Sequence, residues 1–175
     1  MTEVHRVADS IYIADCAFGK GVFAARPIRR GETILRYRGP RIDRDDPVHH
    51  TPGAAMLLQT GVSTYILPDS PAVLVNHSCV PNAGLVDNRR LVAISDILPG
   101  EQVTFDYSTS MDDGIWTMAC GCGEAECRGL VEDFRHLPER LRNRYLALGI
   151  VQGFIARQYR QRPDAAAGFA DAAIA

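Results

Sequence analysis

Lysine is almost missing from this sequence: of 19 basic residues, Lys20 is the only lysine and the others are arginines. The formal net charge is only −2, so no global field attracts nucleic acid or anionic lipid, and we expect neither as a direct partner. No apolar run approaches the length of a membrane span. The opening stretch MTEVHRVADS lacks the apolar core of a secretory signal, which favours a cytoplasmic protein.

A disulfide framework is also missing. The five cysteines are unevenly spaced, which fits a reducing compartment better than a set of paired bridges. The 175 residues, with 46% hydrophobic and 23% charged residues, are enough for one globular domain with its own core.

Short apolar stretches separated by glycine and proline predict a mostly β domain, with no long helix before residue 130. Residues 40–53 have the composition of a loop or a short insert. The predicted strands lie in IYIADC, GVFA, ETILRY, STYILP, AVLV, RLVAISDI and EQVTFDY, and a Gly19-Lys20-Gly21 turn joins the first two.

The chain changes character after Val131, where apolar residues recur with a helical period at 137, 141, 145, 148, 151, 154 and 155. Gly149 and Gly153 predict a division into two helices, which could dock on their own domain or on a second copy as a homodimer. The segment 128–162 carries eight arginines against three acids. These charges form either a solvated helix face or a docking surface for an acidic partner. Residues 163–175 are expected to be a flexible tail.

Three cysteines, Cys120, Cys122 and Cys127, lie in ACGCGEAECRG with the spacing C-x-C-x4-C, among glycines that let the chain turn tightly. Thiolates in a tetrahedron are typical of structural zinc, but a fourth ligand is missing, and Cys16 and Cys79 are the two candidates. The alternatives are reduced thiols in a glycine-rich loop or a redox pair, although C-x-C lacks the two-residue spacer of the common redox motif.

Four motifs in a fixed order carry a resemblance to a known family. GKGVFAARPIRRGETILRYRG is followed by NHSC at 76–79, FDY at 105–107 and then C-x-C-x4-C. This order resembles SET-domain protein-lysine methyltransferases with a post-SET zinc segment, over roughly residues 10–130. No pre-SET cysteine cluster precedes residue 10, so the chain resembles a small, pre-SET-free form, and its arginine- and alanine-rich composition suggests a bacterial source.

The resemblance implies a SET-domain fold over residues 4–118, built from several short sheets as a β-clip with a knot-like core. A post-SET zinc segment would follow at 119–131 and C-terminal helices at 132–162. Cys79 would be the fourth zinc ligand, beside Cys120, Cys122 and Cys127, which leaves Cys16 free.

The resemblance also implies S-adenosylmethionine as the cofactor. Asn76 would hold its methionine end, and His77 would contact the adenine mainly through the backbone. Without the family, Asn76 and Ser78 could be turn residues and His77 a structural histidine. The full set of expected cofactor-binding residues is Gly19, Lys20, Gly21, Tyr65, Asn76, His77, Tyr107 and Trp116.

Tyr107 matches the family's catalytic tyrosine, whose hydroxyl would orient the substrate amine. Phe105 stands where the family has Phe or Tyr, and Phe leaves room for further methyl groups, so we expect di- or trimethylation. An apolar channel would lower the pKa of the substrate lysine. Its aromatic walls would attract a methylammonium. The candidate wall residues are Tyr37, Tyr65, Phe105, Tyr107 and Trp116.

The expected partner is a lysine-bearing protein, in this family usually a basic, histone-like one. The acidic residues Asp43, Asp45, Asp46, Asp112 and Asp113 could attract it or could simply be solvated. Val73 stands where the family often has an arginine, and Pro40 where it has an acid. The alternative to an enzyme is a catalytically silent SET fold that binds zinc and serves as an interaction module. A zinc hydrolase would need an open coordination position, which four thiolates do not leave.

Overall fold

A computed structural model describes residues 5–160 of the chain. Its strands are short and form five small sheets, followed by two helices, so the predicted mostly β fold with late helices is confirmed. The strands are β1 His5–Arg6, β2 Ile11–Cys16, β3 Gly19–Ala24, β4 Thr33–Arg36, β5 Arg41–Asp43, β6 Leu58–Gly61, β7 Thr64–Ile66, β8 Asn76–His77, β9 Ala83–Val86, β10 Arg90–Ala93, β11 Thr104–Phe105, β12 Met118–Ala119 and β13 Leu130–Val131; the helices are α1 Glu139–Ala147 and α2 Gly153–Arg160.

The first sheet has the order β1-β2-β3 and contains the predicted hairpin. The register pairs Cys16 with Gly19, so the turn consists of Ala17 and Phe18. The predicted Gly19-Lys20-Gly21 turn is therefore wrong in position, since these residues begin strand β3. Gly19 still serves the turn: its φ of +93° is a backbone conformation that glycine adopts without a Cβ penalty.

Two three-stranded antiparallel sheets, β4-β10-β9 and β5-β7-β6, form most of the remaining β structure. The second corrects the interpretation of residues 40–53 as loop, because β5 lies within them and pairs Arg41 with Ile66. Two 3-10 helices, Pro47–His50 and Pro52–Met56, follow β5 and lead into β6. The sequence did not indicate these two helices. Such short strands are defined by their distant partners and carry little periodicity of their own.

The stretch AVLV was predicted as a strand, but Ala72–Leu74 form a 3-10 helix. Pro71 adopts helical dihedral angles, and its carbonyl accepts a hydrogen bond from the Leu74 N–H at 3.0 Å, which curls the apolar run into a turn. Strand β8 starts only at Asn76. It pairs in parallel with β11, unlike the antiparallel pairs of the other sheets described for residues 5–160.

The two helices confirm the predicted division, with Gly149 at φ +67° after α1 and Gly153 at the start of α2. They dock on their own domain over a second apolar core that includes Phe134, Tyr145 and Ile155. Neither helix is long and apolar enough to cross a membrane, and the same holds for every helix within residues 5–160. The predicted tail, 163–175, lies outside the described residues.

Candidate active site and metal centre

The parallel pair of β8 and β11 places the NHSC segment beside the FDY segment. The register pairs Asn76 with Thr104 and His77 with Phe105, and the Ser78 N–H donates to the Phe105 carbonyl at 3.3 Å. Two motifs that are about thirty residues apart in the sequence are thus side by side, and their side chains can contribute to one site.

The side chain of Asn76 in β8 contacts the β2–β3 hairpin, and we name this polar contact region the polar cleft. The Asn76 side-chain amide donates to the Lys20 carbonyl at 3.1 Å and lies 3.4 Å from the Cys16 sulfur. A Cβ added at Gly21 would clash with the Gln102 amide and would lie 3.2 Å from the Asn76 amide nitrogen. Glycine at 21 therefore lets Asn76 approach the hairpin, and three predicted cofactor-binding residues, Lys20, Gly21 and Asn76, are in contact.

A cavity of about 50 Å³ lies beside Phe105 of β11. Four of the five predicted wall residues, Tyr37, Phe105, Tyr107 and Trp116, line it. The ring centroids of Phe105 and Tyr107 are 4.8 Å apart, and those of Tyr107 and Trp116 are 6.3 Å apart. Tyr37 meets the Phe105 ring edge-on at 6.0 Å. The walls have the aromatic character that attracts an alkylammonium group.

Two phenol hydroxyls belong to this cavity. The Tyr107 hydroxyl donates to the Val75 carbonyl at 2.9 Å, whereas the buried Tyr37 hydroxyl has no hydrogen-bond partner within residues 5–160. Burial raises the pKa of both tyrosines, so both remain protonated at neutral pH. The cavity wall therefore contains one hydroxyl with a fixed hydrogen bond and one buried hydroxyl whose hydrogen bond is not satisfied by the described residues.

Tyr65, the fifth predicted wall residue and an expected cofactor contact, does not line this cavity. Its hydroxyl donates to Asp113 at 3.4 Å, and its ring meets that of His49 at 4.7 Å. Burial, and then the Asp113 carboxylate, raise the pKa of Tyr65 to about 12. The Asp113 carboxylate also accepts the backbone N–H of Trp116 at 2.9 Å. Tyr65 therefore supports, through Asp113, the loop that carries Trp116. Its direct role toward a cofactor stays a prediction.

Sequence reasoning missed much of the apolar lining. Residues 55–58 bring part of the insert to the cavity, and Met111 closes it from the segment after β11. Val73, which departs from the family pattern, also lines the wall. The only signal for the insert was the apolar run Met56-Leu57-Leu58 in a polar stretch.

The metal centre consists of Cys79, Cys120, Cys122 and Cys127, whose sulfur atoms all lie within 4.8 Å of one another. The Cys79 and Cys120 sulfurs are 3.8 Å apart. A tetrahedral site with Zn–S bonds of about 2.3 Å has edges of about 3.8 Å, so the four thiols fit zinc in number, chemistry and spacing. Cys16 lies instead beside Asn76, so geometry selects Cys79 as the fourth ligand.

Strands β12 and β13 close the loop that holds the three clustered cysteines. The pair Ala119–Leu130 and the bond from the Cys120 N–H to the Gly129 carbonyl, 2.9 Å, bring the loop ends together. The loop then contacts the end of the NHSC segment, where the Arg128 backbone nitrogen lies 3.4 Å from the Cys79 sulfur. The metal centre therefore links the end of the NHSC segment to the C-terminal part of the domain.

A buried carboxylate, Asp106, lies directly before Tyr107. Its two oxygens accept two hydrogen bonds from the Arg128 guanidinium, at 2.7 and 2.8 Å, and Asp106 also accepts from the Tyr145 hydroxyl at 3.0 Å and from the Ser108 N–H at 3.1 Å. Burial works to lower the pKa of Arg128, but the Asp106 carboxylate outweighs it and leaves that pKa raised. Sequence reasoning did not identify Asp106, Arg128 or Tyr145, because nothing local marks their convergence.

Known proteins resemble this chain over the same region. The family model described as "SET domain" matches residues 19–108, inside the predicted 4–118. Histone-lysine N-methyltransferase 2B from Homo sapiens is 28% identical in an alignment 126 positions long, which covers 63% of this chain and 5% of that protein. Histone-lysine N-methyltransferase ATX2 from Arabidopsis thaliana is 29% identical in an alignment 161 positions long, which covers 76% of this chain and 14% of that protein.

The chain thus spans only a small part of these relatives. Among solved structures, that of ctPRC2 in an autoinhibited conformation bound to S-adenosylmethionine is 22% identical, with a TM-score of 0.50 over 59% of this chain and 16% of that one. This likeness concerns the fold, and it agrees with the several small sheets described above. Since the family model matches half of the chain, the protein belongs to the SET-domain family.

Proposed function

We propose that this protein is an S-adenosylmethionine-dependent protein-lysine N-methyltransferase. The observation that carries the proposal is the position of Tyr107. Its ring lines the aromatic cavity, and its backbone lies beside the NHSC segment, whose Asn76 faces the glycine-containing hairpin. A cofactor in the polar cleft and a lysine in the cavity would meet at this residue. The names of the relatives, which are histone-lysine methyltransferases, support the same activity.

The residues of the chain perform two tasks in this mechanism. When held by Lys20, Gly21 and Asn76, S-adenosylmethionine would supply a methyl group to the substrate nitrogen, and its sulfonium would leave as a neutral thioether. The mostly apolar cavity wall disfavours a charged ammonium and so favours the neutral, nucleophilic form of the lysine. Tyr107 and Tyr37 provide hydroxyls that orient the amine, and alignment alone can supply several kcal/mol of the barrier. The lysine proton leaves to solvent, so no side chain is assigned as general base.

We further propose that the product is a di- or trimethylated lysine. Phe105 forms the cavity wall between Tyr37 and Tyr107 and carries no hydroxyl that would hold a water molecule. The space beside it is therefore available to methyl groups that are already on the nitrogen.

The four thiols of the metal centre would hold one zinc ion, which would have a structural role. Four thiolates close the tetrahedral shell, so no position is open for a substrate. They must stay reduced to bind metal, and the proposal therefore includes a reducing, cytoplasmic setting.

The substrate class is a basic, lysine-rich protein, and the names of the relatives support it. Charge gives weaker support, because most of the candidate acids are already engaged. Asp112 pairs with Arg135, and Asp43 with Arg41. Lys20, the only lysine of the chain, is paired with Asp15 at 2.6 Å, which argues against extensive self-methylation.

The first test is titration calorimetry of the zinc-loaded protein with S-adenosylmethionine. We expect saturable binding to one site, about tenfold weaker in Asn76→Ala, because that variant loses a hydrogen-bonding amide in the cleft. Asn143→Ala, an exposed asparagine on α1, is the matched control and should bind like the wild type. A folded, zinc-loaded protein that shows no binding would overturn the proposal and support an interaction module.

A second test measures methyl transfer to lysine-rich proteins, with incorporation read by mass spectrometry. Products that carry methyl groups on lysine side chains support the proposal. Methylation confined to arginine or to chain termini would contradict the assigned reaction.

A further inference from the structure

His77 connects the metal centre to the segment of Tyr107. Its Nε2 lies 3.4 Å from the Cys79 sulfur, and its Nδ1 lies 3.2 Å from the Tyr107 backbone nitrogen. The side chain is buried, and its ring contacts that of Tyr107 at 5.3 Å. One imidazole thus joins a candidate zinc ligand to the residue on which the proposed reaction depends.

The direction of these two bonds follows from the donors present. The Tyr107 N–H can only donate, so Nδ1 must accept and carries no proton. In a neutral imidazole the proton is then on Nε2, which points at the Cys79 sulfur, and a zinc-bound thiolate is a good acceptor for it. Asp106 also lies 3.6 Å from Nδ1, which is too long for a good hydrogen bond. The competing tautomer would carry its proton on Nδ1 and direct it at Asp106.

Arg128 provides a second connection between the same two places. Its backbone N–H points at the Cys79 sulfur, 3.4 Å away, while its guanidinium binds both oxygens of Asp106. Asp106 precedes Tyr107 and caps the 3-10 turn that begins with Tyr107, by accepting the Ser108 N–H. The bidentate geometry fixes the carboxylate more firmly than a single contact would.

We propose that His77 and Arg128 are positioning residues that couple metal binding at the four cysteines to the placement of Tyr107. Metal binding holds the Cys79 sulfur as a fixed thiolate acceptor. That sulfur then fixes the His77 ring and the Arg128 backbone. His77 holds Tyr107 by accepting its backbone N–H, and Arg128 holds it by binding the preceding residue, Asp106. The inference rests on the proposed function for its catalytic consequence, but the coupling itself is a property of this chain.

The first arm of the test uses NMR of the 15N-labelled protein and needs no activity. In the zinc-loaded wild type we expect the His77 ring to carry its proton on Nε2. Removal of zinc by a chelator should shift the Tyr107 amide signal and leave that of Ala93, in the β10 core, unchanged. A proton on Nδ1, or a Tyr107 signal that ignores zinc removal, would overturn the proposal.

The second arm uses Arg128→Lys. This variant keeps the positive charge but replaces the bidentate guanidinium contact with Asp106 by the point charge of an ammonium group. For the zinc-loaded variant we expect kcat to fall at least tenfold, with KM for the protein substrate and Kd for S-adenosylmethionine within twofold of the wild type. The control is Arg90→Lys, since Arg90 also contacts a carboxylate twice, at Asp87 on the exposed surface.

A purely structural role of Arg128 gives a different result. The variant would then lose zinc or thermal stability but, once saturated with zinc, would recover the wild-type kcat, and this recovery would contradict the proposal. If the wild type shows neither cofactor binding nor methyl transfer, the proposed function fails, while the NMR arm still decides whether the metal centre and Tyr107 are coupled.

Discussion

Replacing Tyr107 by phenylalanine removes one hydroxyl and leaves the shape of the site intact. The ring would keep its packing against Phe105, His77 and Trp116, whose centroids lie 4.8, 5.3 and 6.3 Å away. The lost group is the donor of the 2.9 Å bond to the Val75 carbonyl. We therefore expect Tyr107→Phe to fold and to retain the polar cleft around Asn76.

Two magnitudes follow from this single lost donor. A hydrogen bond removed from a partly buried carbonyl costs about 1–3 kcal/mol of unfolding free energy, which urea denaturation can measure. An oriented hydrogen-bonding group at a reacting centre contributes on the order of 10²–10³ in kcat. We expect the Kd for S-adenosylmethionine to stay within about twofold, because the altered hydroxyl lies on the cavity side of the site.

The assay is single-turnover methyl transfer at saturating cofactor, well below the unfolding temperature. Tyr12→Phe is the matched control, since Tyr12 stacks on Phe23 at 5.6 Å in the first sheet, outside the cavity. A Tyr107→Phe rate within tenfold of the wild-type rate, with full cofactor binding, would refute the assignment of this hydroxyl to the mechanism.

Three further changes test other parts of the structure. Cys79→Ser should release zinc and lower the melting temperature, whereas Cys16→Ser should keep one zinc per chain by metal analysis; equal metal content in both would point to another ligand. Phe105→Tyr should shift the products toward monomethyllysine in mass spectra, and an unchanged product distribution would contradict the role of this position. Gly84→Ala places a Cβ 2.6 Å from Ile150 and should cost about 1–3 kcal/mol in urea denaturation; an unchanged midpoint would argue against the docking of the C-terminal segment.

Local patterns in the sequence predicted those parts of the fold that depend on local chemistry. The alternation of Ile11 and Ile13 before a glycine predicted the β2–β3 hairpin, and the helical period after residue 136 predicted α1 and α2. The family resemblance also implied that Asn76 and Tyr107 belong to one site, and the parallel pair of β8 and β11 brings their two segments together. The signals for the hairpin and the helices each lie within one short stretch of sequence.

Elements that depend on distant partners escaped prediction. Strand β5 has three residues and exists because Arg41 pairs with Ile66, and the apolar run at 72–74 became a turn because Pro71 starts one. The contacts of Asp106 with Arg128 and Tyr145 span 22 and 39 residues of sequence. The motif FDY cannot indicate such distant partners. An aspartate at this position is equally expected as the cap of a turn, with no long-range contacts.

The choice of Cys79 as the fourth thiol has a consequence for the whole site. Three cysteines at 120–127 alone would bind metal within one loop, and its loss would disturb only that loop. Cys79 is 41 residues before Cys120 and two residues after His77, so metal binding ties the loop to the element that carries Asn76 and contacts Tyr107. Zinc loss is therefore expected to disturb the polar cleft and the aromatic cavity together, although neither contains a metal ligand, because both are connected to Cys79 through the NHSC segment.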